Sequence, residues 1–126
     1  MSHKTILAVD DAESNIDILL DALGSEYEIV VALDGESALE IVAEDKPDLI
    51  LLDIMMPGID GFEVLERLKA SPATADIPVV ILSARTGSDD WARGIELGAA
   101  DYLTKPFDIP DVKACIIRHL TGANGE

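Results

Sequence analysis

The sequence is poor in cysteine, in positive charge and in long apolar runs. Its single cysteine, Cys115, has no partner for an internal disulfide, which fits a reducing, cytoplasmic compartment. Lys and Arg number 9 against 25 Asp and Glu, a formal charge of −16. Such a surface repels phosphate backbones and anionic lipid, so it argues against direct nucleic-acid contact and against membrane surfaces, and favours cations and basic protein faces. No apolar run approaches the roughly 18 residues of a membrane span. The start, Met1-Ser2-His3-Lys4, does not read as a signal peptide. What remains is one domain's worth of chain, 126 residues of which 48% are hydrophobic, enough for a core and too many for a disordered acidic tail.

Two kinds of segment alternate. Short aliphatic runs, Ile6–Val9, Tyr27–Leu33, Leu49–Leu52, Val79–Leu82 and Ala100–Leu103, predict strands, and two of them lack polar alternation, as strands buried on both faces of a parallel sheet do. Between them, helical spacing marks five helices: Ile16, Leu19, Leu20 and Leu23 before Gly24; Ala38, Ile41 and Val42; Leu65 and Leu68; Trp91, Ala92 and Ile95 before Gly98; and Ile109, Val112, Ile116 and Leu120 before Gly122. Asp60 with Glu63 reads as an acidic capping box, Ser88 precedes the fourth helix, and Asp108 precedes the fifth with Pro110 in its first turn. Five strand–helix pairs in order predict an α/β domain with a parallel sheet, helices on both faces and right-handed crossovers. Ligands in such sheets bind beyond the carboxyl ends of the strands.

Those ends carry an unusual set. The first strand runs into Asp10-Asp11, the third ends in Asp53, the fourth in Ser83, and Lys105-Pro106 follow the fifth. Three carboxylates within about 5 Å repel by roughly 3 kcal/mol per pair at an effective dielectric of 20. One lysine offsets a single charge, and the remaining oxygens suit a hard divalent ion, Mg²⁺ first. A carboxylate in that position, here Asp53, can act as a nucleophile toward phosphorus and form an aspartyl phosphate, with Lys105 neutralising phosphoryl oxygens and Ser83 donating to one.

Val9-Asp10-Asp11, the run from Leu51 to Gly61, Ser83-Ala84 and the run from Asp101 to Phe107 together resemble the receiver domain of two-component response regulators. The resemblance covers roughly residues 4–121, leaving 122–126 as a C-terminal tail or linker stub. It implies a flavodoxin-like doubly wound (βα)5 domain with strand order 2-1-3-4-5. It also implies Asp53 as phosphoacceptor, Asp11 as direct metal ligand, Asp10 as the acid reaching the metal through water, and the Met55 carbonyl as a further ligand. Ser83 matches the switch hydroxyl, Lys105 the phosphate-pairing lysine and Tyr102 the switch aromatic. Mg²⁺ is the implied cofactor, with Mn²⁺ a substitute. Met55 and Arg85 occupy positions that modulate phosphoryl lifetime in the family. The implied partners are a sensor histidine kinase or phosphotransfer protein and an effector domain or protein, with phosphorylation-dependent dimerisation compatible. The partner-binding face would be the fourth helix, fifth strand and fifth helix. The chain reads either as a stand-alone receiver or as part of a longer regulator, and its motif runs look like receivers joined to cyclic-dinucleotide enzymes or kinases.

Other readings fit less well. An aspartyl-nucleophile phosphohydrolase carries a second acid two residues after the nucleophile, where this chain has Met55. A flavin binder needs a phosphate cradle after the first strand, where this chain has Asp10-Asp11-Ala12-Glu13. A degenerate receiver would not need the intact acid, hydroxyl and lysine set. The expectation is therefore a signalling phosphoacceptor that catalyses only its own phosphorylation and dephosphorylation. Tyr102 also admits a plainer reading as a half-exposed edge aromatic. Phe62 and Trp91 are expected to pack beneath their helices, His3 and His119 to stand alone on the surface, Cys115 to be a small buried helix residue, and Asp89-Asp90 to favour a helix start.

Overall fold

The computed structural model describes residues 4–54, 58–83, 88–104 and 108–122. In chain order these form β1 (Thr5–Val9), α1 (Glu13–Leu23), β2 (Glu28–Ala32), α2 (Gly35–Glu44), β3 (Leu49–Asp53), α3 (Gly61–Ala70), β4 (Val79–Ser83), α4 (Ser88–Glu96), β5 (Asp101–Thr104) and α5 (Ile109–Gly122). All strand pairs are parallel, in the order β2-β1-β3-β4-β5.

The period of two along each strand sorts the core into two layers. Leu7, Val9, Ile50, Leu52, Val79 and Ile81 join Val42, Phe62, Leu65 and Leu68 on the side of α2 and α3. Ile6, Ala8, Leu49, Leu51, Val80 and Leu82 join Ile16, Leu19, Leu23, Val112 and Ile116 on the side of α1 and α5. Because the central strands β3 and β4 are covered on both faces, every one of their residues is buried, Asp53 and Ser83 included. A hydrophobic sequence run thus delivers its last, polar residue to the sheet edge as a buried group.

Helix starts follow from short acidic side chains. The Ser37 amide donates to Asp34 Oδ1 at 2.7 Å ahead of α2, and the Glu63 amide donates to Asp60 Oδ1 at 3.0 Å ahead of α3. Only half of the expected capping box forms, because the Glu63 carboxylate turns outward to pair with Arg67 one turn on. Asp89 and Asp90 do lie in the first turn of α4. Gly24 ends α1 in a right-handed conformation, whereas Gly98, at φ +109°, supplies a left-handed turn after α4.

Two expectations are corrected. Phe62 is buried, but Trp91 is 51% exposed and Ile95 also faces solvent. The inward face of α4 is instead Gly94, where an added Cβ would meet Ile81 Cδ1 at 2.6 Å. Spacing of apolar residues found the helix and misjudged which side it buries. His119 does not stand alone either: its Nε2 lies 3.2 Å from Asp101 Oδ2. His3 lies outside the described residues. Cys115 is buried as expected. Among the described residues no helix is long and apolar enough to cross a membrane.

Candidate functional site

The acidic cluster is assembled by the ends of the neighbouring strands β1 and β3. Asp10 follows β1 directly, and its amide donates to the Ala32 carbonyl at 3.1 Å, extending the β1–β2 ladder by one residue. Asp53 is the last residue of β3, the strand beside β1. Carboxylate oxygens of Asp10, Asp11 and Asp53 all lie within 4.8 Å of one another. Asp10 and Asp53 are buried, at 1% and 4% exposure, while Asp11 is exposed and keeps the cluster open to solvent.

Asp10 is aimed by the start of α1. The Ala12 amide donates to its Oδ1 at 2.9 Å and Asn15 Nδ2 donates to its Oδ2 at 3.2 Å. These donors orient the carboxylate and carry no formal charge of their own. Asn15 was missed by sequence reasoning. The available signal was a polar amide in the first turn of α1, five residues past Asp10, beside a helix whose N-cap Ala12 has no capping side chain.

Ser83 is fully buried at the end of β4. In register, Asp53 lies beside Leu82 and Ser83 beside Thr104, so the hydroxyl sits one residue further along the edge from the acid. Tyr102 is 8% exposed and belongs to the core layer shared with α3, which removes the half-exposed reading. Lys105, Met55 and Arg85, the remaining expected site and lifetime residues, lie outside the described residues.

The backbone after Asp53 is held by α3. The Gly61 amide donates to the Ile54 carbonyl at 3.2 Å, and an added Cβ on Gly61 would stand 2.4 Å from Ile54 Cα and 2.7 Å from the Asp53 carbonyl oxygen. Only glycine lets the helix come so close. Gly58, at φ +77°, makes the preceding turn.

Clustered oxygen donors of this kind, two buried and one open to water, fit a hard octahedral cation such as Mg²⁺ in both chemistry and spacing. With its negative charge matched by a cation, an ionised carboxylate in this position can act as a nucleophile, and Ser83 lies one register step away.

A family profile described as the response regulator receiver domain matches residues 6–117. Response regulator PleD of Caulobacter vibrioides is 52% identical over 104 residues, covering 82% of this chain and 23% of that protein. A probable cyclic di-GMP phosphodiesterase of Vibrio cholerae is 43% identical over 120 residues, covering 95% of this chain and 27% of that protein. The chain therefore spans about a quarter of the length of these relatives. Among solved structures, chemotaxis protein CheY4 of Vibrio cholerae superposes with a TM-score of 0.89 at 28% identity, covering 94% of this chain and all of that one. A CheY-like receiver domain protein of Methanospirillum hungatei gives 0.92 at 25% identity, with 98% of both chains covered.

Proposed function

This chain belongs to the response regulator receiver domain family of two-component signalling, and we propose that it is a phosphorylation-driven switch whose acceptor is Asp53. The observation that carries this is the buried Asp53 carboxylate, within 4.8 Å of Asp10 and Asp11 oxygens and one register position from the buried Ser83.

In this reading Asp53 attacks the phosphorus of a phosphohistidine on a kinase or phosphotransfer protein. An Asp53 Oδ–P bond forms, the P–N bond breaks, and histidine leaves with its electron pair. Asp10, Asp11, Asp53 and the Met55 carbonyl would hold Mg²⁺, which supplies charge neutralisation for the phosphoryl oxygens. Asp53 needs no proton transfer to act, since an ionised carboxylate is already nucleophilic. Asn15 and the Ala12 amide keep Asp10 in position, and Lys105 pairs with the phosphoryl group. Ser83 donates a hydrogen bond to a phosphoryl oxygen, drawing the end of β4 toward the acceptor. Tyr102, on β5 beside Ile81 of β4 and close to Gly94 of α4, then reports that shift to the face made by α4, β5 and α5, which changes its preference for an effector. The chain catalyses only its own phosphorylation and dephosphorylation.

Incubation with acetyl phosphate and Mg²⁺, followed by intact mass, tests the reading. One added phosphoryl group is expected, absent without the metal and absent in Asp53→Asn. Equal incorporation by Asp53→Asn contradicts it.

A further inference from the structure

On the edge strand β5, two strands across from β3 and level with Leu51, a second group of ligating side chains converges. Asp101 opens β5. Cys115 and His119 stand four residues apart on α5 and so share one helical face. Cys115 Sγ lies 3.4 Å and His119 Nε2 3.2 Å from the same atom, Asp101 Oδ2, and ligand atoms of the three residues all fall within 4.8 Å of one another.

These spacings are those of a coordination polyhedron as well as of hydrogen bonds. A tetrahedral Zn²⁺ with Zn–S near 2.3 Å and Zn–N and Zn–O near 2.0–2.1 Å has an S···O edge of about 3.5 Å and an N···O edge of about 3.3 Å. Both observed separations agree within a few tenths of an ångström, and the third edge, from Cys115 Sγ to His119 Nε2, is within 4.8 Å. The donor set, one thiol, one imidazole and one carboxylate, selects a borderline-soft cation over Mg²⁺.

Without a metal the arrangement is crowded. Arg118 also donates to Asp101 Oδ2, so thiol, imidazole and guanidinium converge on one oxygen that offers two lone pairs. The Tyr102 amide meanwhile donates to Oδ1 at 2.9 Å and fixes the carboxylate's orientation, an outer support common to metal-ligating carboxylates. His119 also lines a solvent-open cavity of about 200 Å³ together with Lys4, Lys46, Asp48 and Asp76. Burial, and then the neighbouring Asp101 charge, pushes the metal-free Cys115 thiol up to about 12, so it is not a reactive thiolate.

The geometry points to a Zn²⁺ site formed by Asp101 Oδ2, Cys115 Sγ and His119 Nε2, with water as fourth ligand. Binding releases the thiol proton to solvent, and the 2+ charge is then matched by thiolate and carboxylate. The ion clamps α5 onto the first residue of β5, and Asp101 adjoins Tyr102, so metal occupancy would stiffen the proposed output face independently of phosphorylation.

Titration of the whole chain with Co²⁺ in excess Mg²⁺ tests this, the Mg²⁺ occupying hard oxygen sites. One equivalent of Co²⁺ is expected to give a sulfur-to-cobalt charge-transfer band and the strong visible bands of four-coordination, reversed by Zn²⁺. Asp53→Asn should leave the spectrum unchanged. His119→Gln, which keeps the thiol, should raise the Co²⁺ concentration needed by about 100-fold or more, since removing a direct ligand exceeds the 10–100-fold effect of an outer partner. Absence of the band, or a titration unaltered in His119→Gln, overturns the site. Cys115→Ser should abolish the sulfur-to-cobalt band; circular dichroism of each variant confirms folding, and His119→Gln carries the test if Cys115→Ser does not fold.

Discussion

Gly61 and Ile54 are in direct backbone contact: the Gly61 amide donates to the Ile54 carbonyl, and a methyl on Gly61 would lie 2.4 Å from Ile54 Cα. The first turn of α3 is thereby pressed against the backbone that leaves Asp53. Gly61→Ala is expected to destabilise the fold by about 1–3 kcal/mol, the usual range for overpacking. Because the obstacle is main chain, no side-chain rotation relieves it. Urea unfolding checks the value, and a loss below about 0.5 kcal/mol, the level of an ordinary surface change, contradicts the contact.

Charge crowding at Asp10, Asp11 and Asp53 makes a prediction of unusual sign. Asp53→Asn removes one charge from a cluster in which each pair repels by roughly 3 kcal/mol at an effective dielectric of 20. The variant should therefore melt higher than the parent without divalent cations. Added Mg²⁺ should raise the parent's Tm and leave the variant's nearly unchanged, which calorimetry with and without the metal measures.

Asn15→Ala removes the side-chain donor that orients Asp10 Oδ2. Asn15 is only half-buried, so the loss is that of an ordinary hydrogen bond, about 1 kcal/mol. The expected result is a several-fold weaker Mg²⁺ affinity, read by the metal dependence of phosphorylation, with the secondary structure unchanged.

How far these residues could be read from the chain depends on how local their causes are. β3 and β4 were visible because burial on both faces leaves nothing but aliphatic residues until the terminal Asp53 and Ser83. Strand ends elsewhere moved by a residue: Tyr27 and Leu33 lie outside β2, where edge pairing rather than hydrophobicity sets the limits. Trp91 was misread because a helix packing through Gly94 presents its largest apolar residues outward, and spacing alone does not reveal which stripe faces the core. The Asp101–His119 pair joins the start of a strand to the end of a helix 18 residues later. Such a meeting is set by tertiary packing, and neither residue carries a local signal of it.

Asp101 also makes stability depend on pH in a stated direction. Burial pushes its carboxyl up, but the Tyr102 amide and the His119, Cys115 and Arg118 side chains outweigh this and hold it below the ordinary value. A lowered folded-state value means the stabilisation is complete above the unfolded value, about 3.9, and is lost as pH falls through the folded one. The stability gap between the parent and Asp101→Asn should thus be constant near neutrality and should narrow below about pH 4. Urea melts across that range measure it, and a gap that widens on acidification contradicts the assignment.

The most direct measurement is of the acceptor itself. After reaction with acetyl phosphate and Mg²⁺, borohydride reduction and peptide mass analysis should convert the phosphorylated aspartate to homoserine at position 53 and nowhere else. Reduction at Asp10 or Asp11, or a phosphoryl group on Ser83, would contradict the account.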